Sequence, residues 1–283
     1  MIDMHIHTTA SDGTDDPAVL LRNLKDKGIR SFSVTDHDTF SGCQPVAELV
    51  SRDPWFRFTW GIELSCRDDH GKYHILGYGF RPEGESIRAA VQEAHENRMS
   101  KVRVRLDYLA EHFGIRLTEE ELQALLANPN PGKPHFGNLL VQKGIAPDRD
   151  TAIRDYVNKC PTLHLALDPG NAIREIRESG GIPILAHGYF GNGEQNLGME
   201  ELTERVDRLL ELGLMGVECF YSRYTRQQQE DLLSLAEKRN LLISAGSDYH
   251  GTNKRVALGQ TGLGEEADWP AGLRRLTEML GLR

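Results

Sequence analysis

The sequence predicts an α/β fold with about seven strands, either a barrel or a related parallel sheet, carrying a helical insertion in its middle. Three observations carry this. Short apolar runs alternate with amphipathic helical runs in the first and last thirds of the chain. The stretch 86–179 has helical patterning and no strand-like run. Polar, chemistry-bearing residues fall at the ends of the strand-like runs, where α/β folds place their sites. At 283 residues the chain can bury the core of one large domain with an insert.

Taken in order, residues 2–7 read as a strand and 17–27 as a helix, with Val19, Leu20, Leu21 and Leu24 as its apolar positions and Gly28 as its stop. A strand at 29–35 and a helix at 41–51 follow, then strands at 56–64 and 73–80. The pattern then turns helical at 86–113, 118–127, 135–143, 149–157 and 169–179. Thr118 with Glu121 three residues on has the form of a capping box. The breaker run Asn128-Pro-Asn-Pro-Gly132 parts two of these helices. Alternation resumes with strands at 181–186, 215–220 and 241–247 and helices at 199–212, 225–238 and 269–280. The expected division is a barrel from 1–85 and 180–283, with 86–179 as a helical insertion over one end.

Lys and Arg total 33 against 42 Asp and Glu, so the net charge of −9 disfavours duplex DNA as a main partner. No run approaches the roughly 20 apolar residues that a membrane helix requires. Cys43, Cys66, Cys160 and Cys219 form no CxxC pair and suggest neither a zinc knuckle nor a disulfide scaffold. The polar start Met1-Ile-Asp-Met-His-Ile-His7 is unlike a signal peptide, and the expected location is cytoplasmic. Nothing in the sequence reports an oligomeric state.

The strand ends carry the chemistry. His5 and His7 are two apart on a strand and so project to one face. Asp12 follows in Ser11-Asp-Gly13, and the next strand ends in Thr35-Asp-His-Asp-Thr39. Gly61-Ile-Glu63 closes the third strand, His74 lies on the fourth, Ala186-His187 closes the fifth, and the last ends in Gly246-Ser-Asp-Tyr-His-Gly251. Singly, each has an ordinary reading: Asp-His caps a helix, Glu63 is a surface carboxylate, His74 packs. Six polar elements at six strand ends outweigh those readings. His5, His7, Asp12, His37, Glu63, His74, His187, Asp248 and His250 offer imidazole and carboxylate without thiolate, which suits Mn²⁺, Fe²⁺ or Zn²⁺. Nine ligands exceed one ion's capacity, so two or three ions are expected. Their charge would outweigh Asp12, Glu63 and Asp248 and trap an anion inside an acidic protein.

These motifs together resemble the PHP (polymerase and histidinol phosphatase) family, metal-dependent phosphoesterases on a distorted seven-stranded β/α barrel. The resemblance implies that His5, His7, Glu63 and Asp248 hold one ion. It implies that Asp12, His37 and His250 hold a second, and Glu63, His74 and His187 a third. The insertion between His74 and His187 resembles a subgroup containing nucleoside 3′,5′-bisphosphate phosphatases, 5′–3′ exoribonucleases and hydrolases of ribose 1,2-cyclic phosphate 5-phosphate. One departure is visible: many relatives have proline after the fifth-strand histidine, where this chain reads His187-Gly-Tyr189. The loop there is expected to differ in shape.

Such a site activates water for in-line attack on phosphorus. Asp36, His187 and His250 are candidate proton carriers, and Asp36 and Asp38 read more readily as orienting groups or caps. In the basic run Arg98-Met-Ser-Lys-Val-Arg-Val-Arg105, Lys101, Arg103 and Arg105 read as a solvated face. Arg98, Lys133 and His135 are the candidate substrate contacts, because relatives use an equivalent Arg and a basic-Pro-His motif on substrate phosphate. Arg223 and Lys254 are weaker candidates. The expected activity is hydrolysis of small phosphorylated ribose compounds, a nucleoside 3′,5′-bisphosphate or a ribose cyclic phosphate, with 5′–3′ trimming of short RNA as the alternative that the basic run permits. Histidinol phosphatase and a non-catalytic metal-binding module are the rivals, but the intact ligand set and Lys133-Pro-His135 favour a nucleotide-like hydrolase.

Overall fold

Seven strands, β1 (Ile2–Asp3), β2 (Ser31–Val34), β3 (Arg57–Asp68), β4 (Gly71–Tyr78), β5 (Ile182–Leu185), β6 (Gly216–Tyr221) and β7 (Leu242–Gly246), hydrogen-bond in chain order. This computed structural model describes residues 1–128, 130–162, 165–190 and 196–283; Pro129 of the breaker run lies outside them. The sheet curls until its edges meet. The Met4 amide donates to Ala245 O (2.9 Å), and the Asp248 amide to His5 O (2.8 Å). The result is the nearly closed, seven-stranded barrel expected.

Three strands differ from the sequence reading: β3 runs on to Asp68, so Glu63 lies within it and does not close it. Residues 4–7 lie outside β1's regular ladder, because the Thr35 hydroxyl takes the Ile6 amide (3.1 Å) in place of a backbone carbonyl. Nor is the sheet all parallel: β4 runs antiparallel to both β3 and β5. β3 and β4 form a hairpin whose turn is fixed by Asp68, which accepts from the His70 and Gly71 amides (2.8 and 3.0 Å).

Helices α1 (Pro17–Asp26) and α2 (Cys43–Val50) pack on the first strands. Asp16 caps α1 by accepting from the Ala18 and Val19 amides, and Leu20, Leu21 and Leu24 are its buried side. There follow α3 (Glu85–Phe113), α4 (Glu119–Leu126), α5 (Lys133–Gln142), α6 (Arg149–Asp155) and α7 (Pro169–Glu178). The Thr118–Glu121 capping box is formed at α4. After β5 come α8 (Met199–Glu211), α9 (Arg226–Lys238) and α10 (Ala271–Met279). No helix among the described residues is long and apolar enough to cross a membrane. The four cysteines are buried free thiols.

The insertion is narrower than 86–179 in its packing. Ile87 and Ala90 of α3 and Ala172, Ile173 and Ile176 of α7 belong to the barrel's core. A separate small core spans Val102 to Val157, with Leu109, Leu125, Phe136 and Leu140 at its centre. α3 therefore runs from one core into the other. Polar ties seat this part on the barrel mouth. Asn128 Nδ2 donates to Ser11 O (2.9 Å), and Asn130 Nδ2 donates to His37 O. Arg149 donates to Asn253 Oδ1 and Asn253 Nδ2 to Asp12 O, both at 2.7 Å.

Candidate metal centre

All nine expected ligands converge at one mouth of the barrel, most of them at or just beyond the carboxyl ends of parallel strands, with Glu63 inside β3 and His74 in the first half of the antiparallel β4. Glu63 on β3, fully buried, is the hub. Its Oε2 lies 3.4 Å from His5 Nε2, 3.2 Å from His7 Nε2 and 2.9 Å from His37 Nδ1. Its Oε1 lies 2.8 Å from His74 Nδ1 and 2.9 Å from His187 Nε2. Asp248 Oδ1 stands 3.6 and 3.3 Å from the Nε2 atoms of His5 and His7. Asp12 Oδ1 faces His250 Nε2 at 3.2 Å.

Three groups of atoms come together within 4.8 Å: His5, His7, Glu63 and Asp248; His7, Asp12, His37 and His250; and His37, Glu63 and His74. The first is the set the resemblance implied. The second gains His7, and the third holds His37 in place of the expected His187, whose Nε2 lies outside the group but 3.2 Å from His74 Nδ1. Six buried atoms in these groups make no hydrogen bond: Nε2 of His5, His7 and His250, Nδ1 of His37, Oε2 of Glu63 and Oδ1 of Asp248. Buried polar atoms are rarely left so, and these six all face the shared space. Imidazole nitrogens and carboxylate oxygens in such an array fit divalent cations.

The electrostatics agree. Burial would raise Asp12, Glu63 and Asp248, yet the surrounding cationic groups hold all three well below the usual carboxylate range. For Asp248 the largest opposing charge is Lys254, whose Nζ is 2.7 Å from Oδ2. Burial also opposes a charge on His37, but Glu63 and Asp12 outweigh it and hold the imidazole at about 9. His7 falls to about 4, through burial and then His250 and His37.

Two buried carboxylates orient the ligands, and one was missed in the sequence. Glu218 on β6 accepts from His5 Nδ1 (2.9 Å) and the His187 amide (2.8 Å). That bond fixes the His5 tautomer so that Nε2 faces the cluster. The available signal was a lone acidic residue inside the apolar run Gly216-Val-Glu-Cys-Phe220. Asp36 accepts from the Thr8 amide (2.8 Å), Thr8 Oγ1 (2.7 Å) and Ser11 Oγ (2.5 Å). It is fully buried behind the loop that carries Asp12 and does not line the cleft. As a proton carrier it is therefore corrected to a positioning residue. His250 is likewise turned inward, 1% exposed, with Nδ1 bonded to Asp248 O. His187 is the candidate proton carrier that does line the cleft. Asp38, His187 and Asp248 take positive φ (55°, 29° and 58°), a strain the surrounding bonds enforce.

Above the cluster lies a cleft of about 740 Å³ between barrel and insertion. Arg98, Lys133, Arg223 and Lys254 line it. Arg98 is bonded to Asp38, Lys133 Nζ donates to Asn158 (2.5 Å), and Arg223 stacks over Phe190 (4.8 Å). His135 is not among the lining residues; its Nδ1 accepts from the Gly132 amide (2.9 Å) at the start of α5. The solvated reading of the basic run holds for exposed Arg103 and fails for Lys101 and Arg105, which turn into the cleft. Helical spacing puts 101 and 105 on the face of Arg98 and 103 on another.

The sequence matches the family model described as "PHP domain" over residues 3–161. It is 30% identical over 275 residues to a phosphoribosyl 1,2-cyclic phosphate 1,2-diphosphodiesterase of Eggerthella lenta, covering 90% of this chain and 95% of that one. A 5′-3′ exoribonuclease of Haemophilus influenzae is 26% identical, covering 91% and 93%. A crystal structure from Bifidobacterium adolescentis, described as a "putative metal-dependent phosphoesterase", superposes with a TM-score of 0.82 at 25% identity, covering 98% and 95%.

Proposed function

The chain belongs to the PHP family and is a metal-dependent phosphoesterase, and on that premise we propose that it hydrolyses phosphate esters of small phosphorylated ribose compounds. The substrates proposed are nucleoside 3′,5′-bisphosphates or ribose cyclic phosphates, with three divalent ions, manganese foremost, in the three groups of ligands. The observation that carries this reading is the cleft of about 740 Å³, a volume suited to one nucleotide-sized ligand, with the ligand cluster at its floor and arginines and lysines around its walls. Two of the relatives are named for a ribosyl cyclic phosphate and for RNA, which supports ribose phosphate as the common chemistry.

Bound divalent ions would acidify a water and neutralise charge on phosphoryl oxygens. The chain's own residues do the rest. Glu218 keeps His5 in its working tautomer, and Thr8, Ser11 and Asp36 hold the loop of Asp12. Arg98 and Lys133 offer donors to the non-reacting oxygens of the phosphate. His187, whose Nε2 points into the cluster from the cleft wall, is placed beside the reacting group.

The test is phosphate release by Mn²⁺-loaded protein from adenosine 3′,5′-bisphosphate, ribose 1,2-cyclic phosphate 5-phosphate, histidinol phosphate and a short 5′-phosphorylated RNA. Preference for either of the first two is the expected result. Preference for histidinol phosphate overturns the ribose reading, and preference for RNA moves it to a trimming nuclease.

A further inference from the structure

The β3–β4 hairpin carries a feature that costs stability. Arg67 and Lys72 stand directly opposite each other in the antiparallel ladder, where like charges repel. α3 brings Lys101 and Arg105 to the same place, and all four line the cleft. Arg105 is 5% exposed, and its Nε makes no hydrogen bond. Burial and then Arg67 and Arg105 lower Lys72; burial and then Arg98 lower Arg105, to about 10. Asp38 acts on Lys101, but it is already bonded to Arg98. Among the described residues no ion pair relieves Arg67, Lys72 or Arg105. Arg105 is buried, with its guanidinium over the Phe136 ring (5.7 Å), and Arg67 and Lys72 are half-buried; cations drawn this far from water are costly unless something supplies the counter-charge.

Their position says what that is. Along β3 the residues Glu63, Ser65 and Arg67 share one face, and along β4 so do His74 and Lys72, with Ser65 opposite His74. Two residues along a strand advance about 7 Å. Lys72 therefore lies one such step from His74, and Arg67 two steps from Glu63, in the same cleft. We propose that Arg67, Lys72, Lys101 and Arg105 form a subsite for a second, non-reacting phosphate group of the substrate, about one strand step beyond the phosphate that is hydrolysed. The subsite rests on the phosphorylated-ribose reading above and narrows it to substrates with two phosphates joined through one ribose or one nucleotide unit. A dianion with three acceptor oxygens can satisfy several of these donors at once.

The experiment compares adenosine 3′,5′-bisphosphate with the 3′- and 5′-monophosphates for the Mn²⁺-loaded wild type, Lys72→Gln and Arg105→Gln. The ratio of kcat/KM for the bisphosphate to that for the better monophosphate should fall at least tenfold in each variant, mainly through KM. Arg105→Lys should recover part of it. In a second readout, inorganic pyrophosphate should raise the Tm of the metal-free wild type more than that of either variant. Ligand-free Lys72→Gln should be no less stable than wild type, because a repulsion has been removed. Lys72→Gln carries the test if Arg105→Gln does not fold. An unchanged ratio, with the esters still turned over, overturns the subsite and leaves the phosphoester reading intact. If the wild type hydrolyses none of the three compounds while pyrophosphate stabilisation still depends on Lys72 and Arg105, the ribose-phosphate reading falls and the anion site stands.

Discussion

Glu218→Gln isolates how much of the metal centre depends on an orienting bond. The carboxylate accepts from His5 Nδ1 at 2.9 Å and from the His187 amide at 2.8 Å, fully buried. The amide of glutamine has one acceptor oxygen. If that oxygen keeps the His187 amide, the NH₂ faces His5 Nδ1 and forces the proton onto Nε2. Nε2 is the atom that faces Glu63 and Asp248 at 3.4 and 3.6 Å, so the lone pair meant for an ion is lost. If the amide turns the other way, its NH₂ opposes the His187 N–H. Either arrangement forfeits a hydrogen bond to a charged group, worth about 1.5–3 kcal/mol. At about 1.4 kcal/mol per factor of ten, affinity for the tightest ion should fall about 10–100-fold, the range found for partners of metal-binding histidines. Calorimetric titration of Mn²⁺ into metal-stripped wild type and variant measures this, with far-ultraviolet dichroism confirming the fold. Binding within threefold of wild type at every site would refute the tautomer reasoning.

Other outcomes follow from single contacts. A Cβ at Gly246 would sit 2.1 Å from His5 Cβ and 2.8 Å from His5 N. Gly246→Ala should therefore destabilise the protein by about 1–3 kcal/mol in urea and depress metal affinity; full stability and affinity would show that the segment after β1 yields freely. Asp36→Asn sets an NH₂ against the Thr8 and Ser11 donors. A loss of about 1–3 kcal/mol, with lower kcat, is expected in denaturation and turnover assays, and wild-type values in both would contradict a positioning role. Burial lowers Lys101 to about 8, against the pull of Asp38. In the native protein it loses its charge at lower pH than in the unfolded chain, so from about 8 to 10.5 the unfolded state binds more protons. Across that window its contribution to stability rises with pH while kcat/KM for phosphorylated substrates falls. Lys101→Met should abolish that limb of the kcat/KM profile, and its persistence would assign the titration elsewhere. Asp248→Ala should abolish phosphate release while the far-ultraviolet spectrum is kept, since Asp248 is a buried member of the ligand cluster; normal turnover would remove it from the site.

About seven strands and the nine side chains gathered at the site were legible in the sequence because each is a local signal. An apolar run of fixed period makes a strand, and a polar residue at its end stands out against that run. His5 and His7 could be placed on one face from their spacing alone. Even so, β1 was read too long, because the Thr35 hydroxyl that displaces a ladder bond is 29 residues from Ile6. The antiparallel β4 was open to inference from Asp68-Asp-His-Gly71, but the surrounding rhythm of parallel units outweighed it.

The sequence by itself determined which residues could hold metal, since residue type and strand end suffice for that. Only the tertiary structure decided which carboxylates face the shared cluster and which orient its histidines. Glu63 and Glu218 are both lone acids in strands, yet Glu63 is ringed by five histidines while Glu218 faces a His5 ring nitrogen and a backbone amide. Only the fold, likewise, turned Lys101 and Arg105 into the cleft opposite Arg67 and Lys72. Helical spacing says that 98, 101 and 105 share a face, but which way a face points depends on what packs behind it, and there α3 passes from one core to the other.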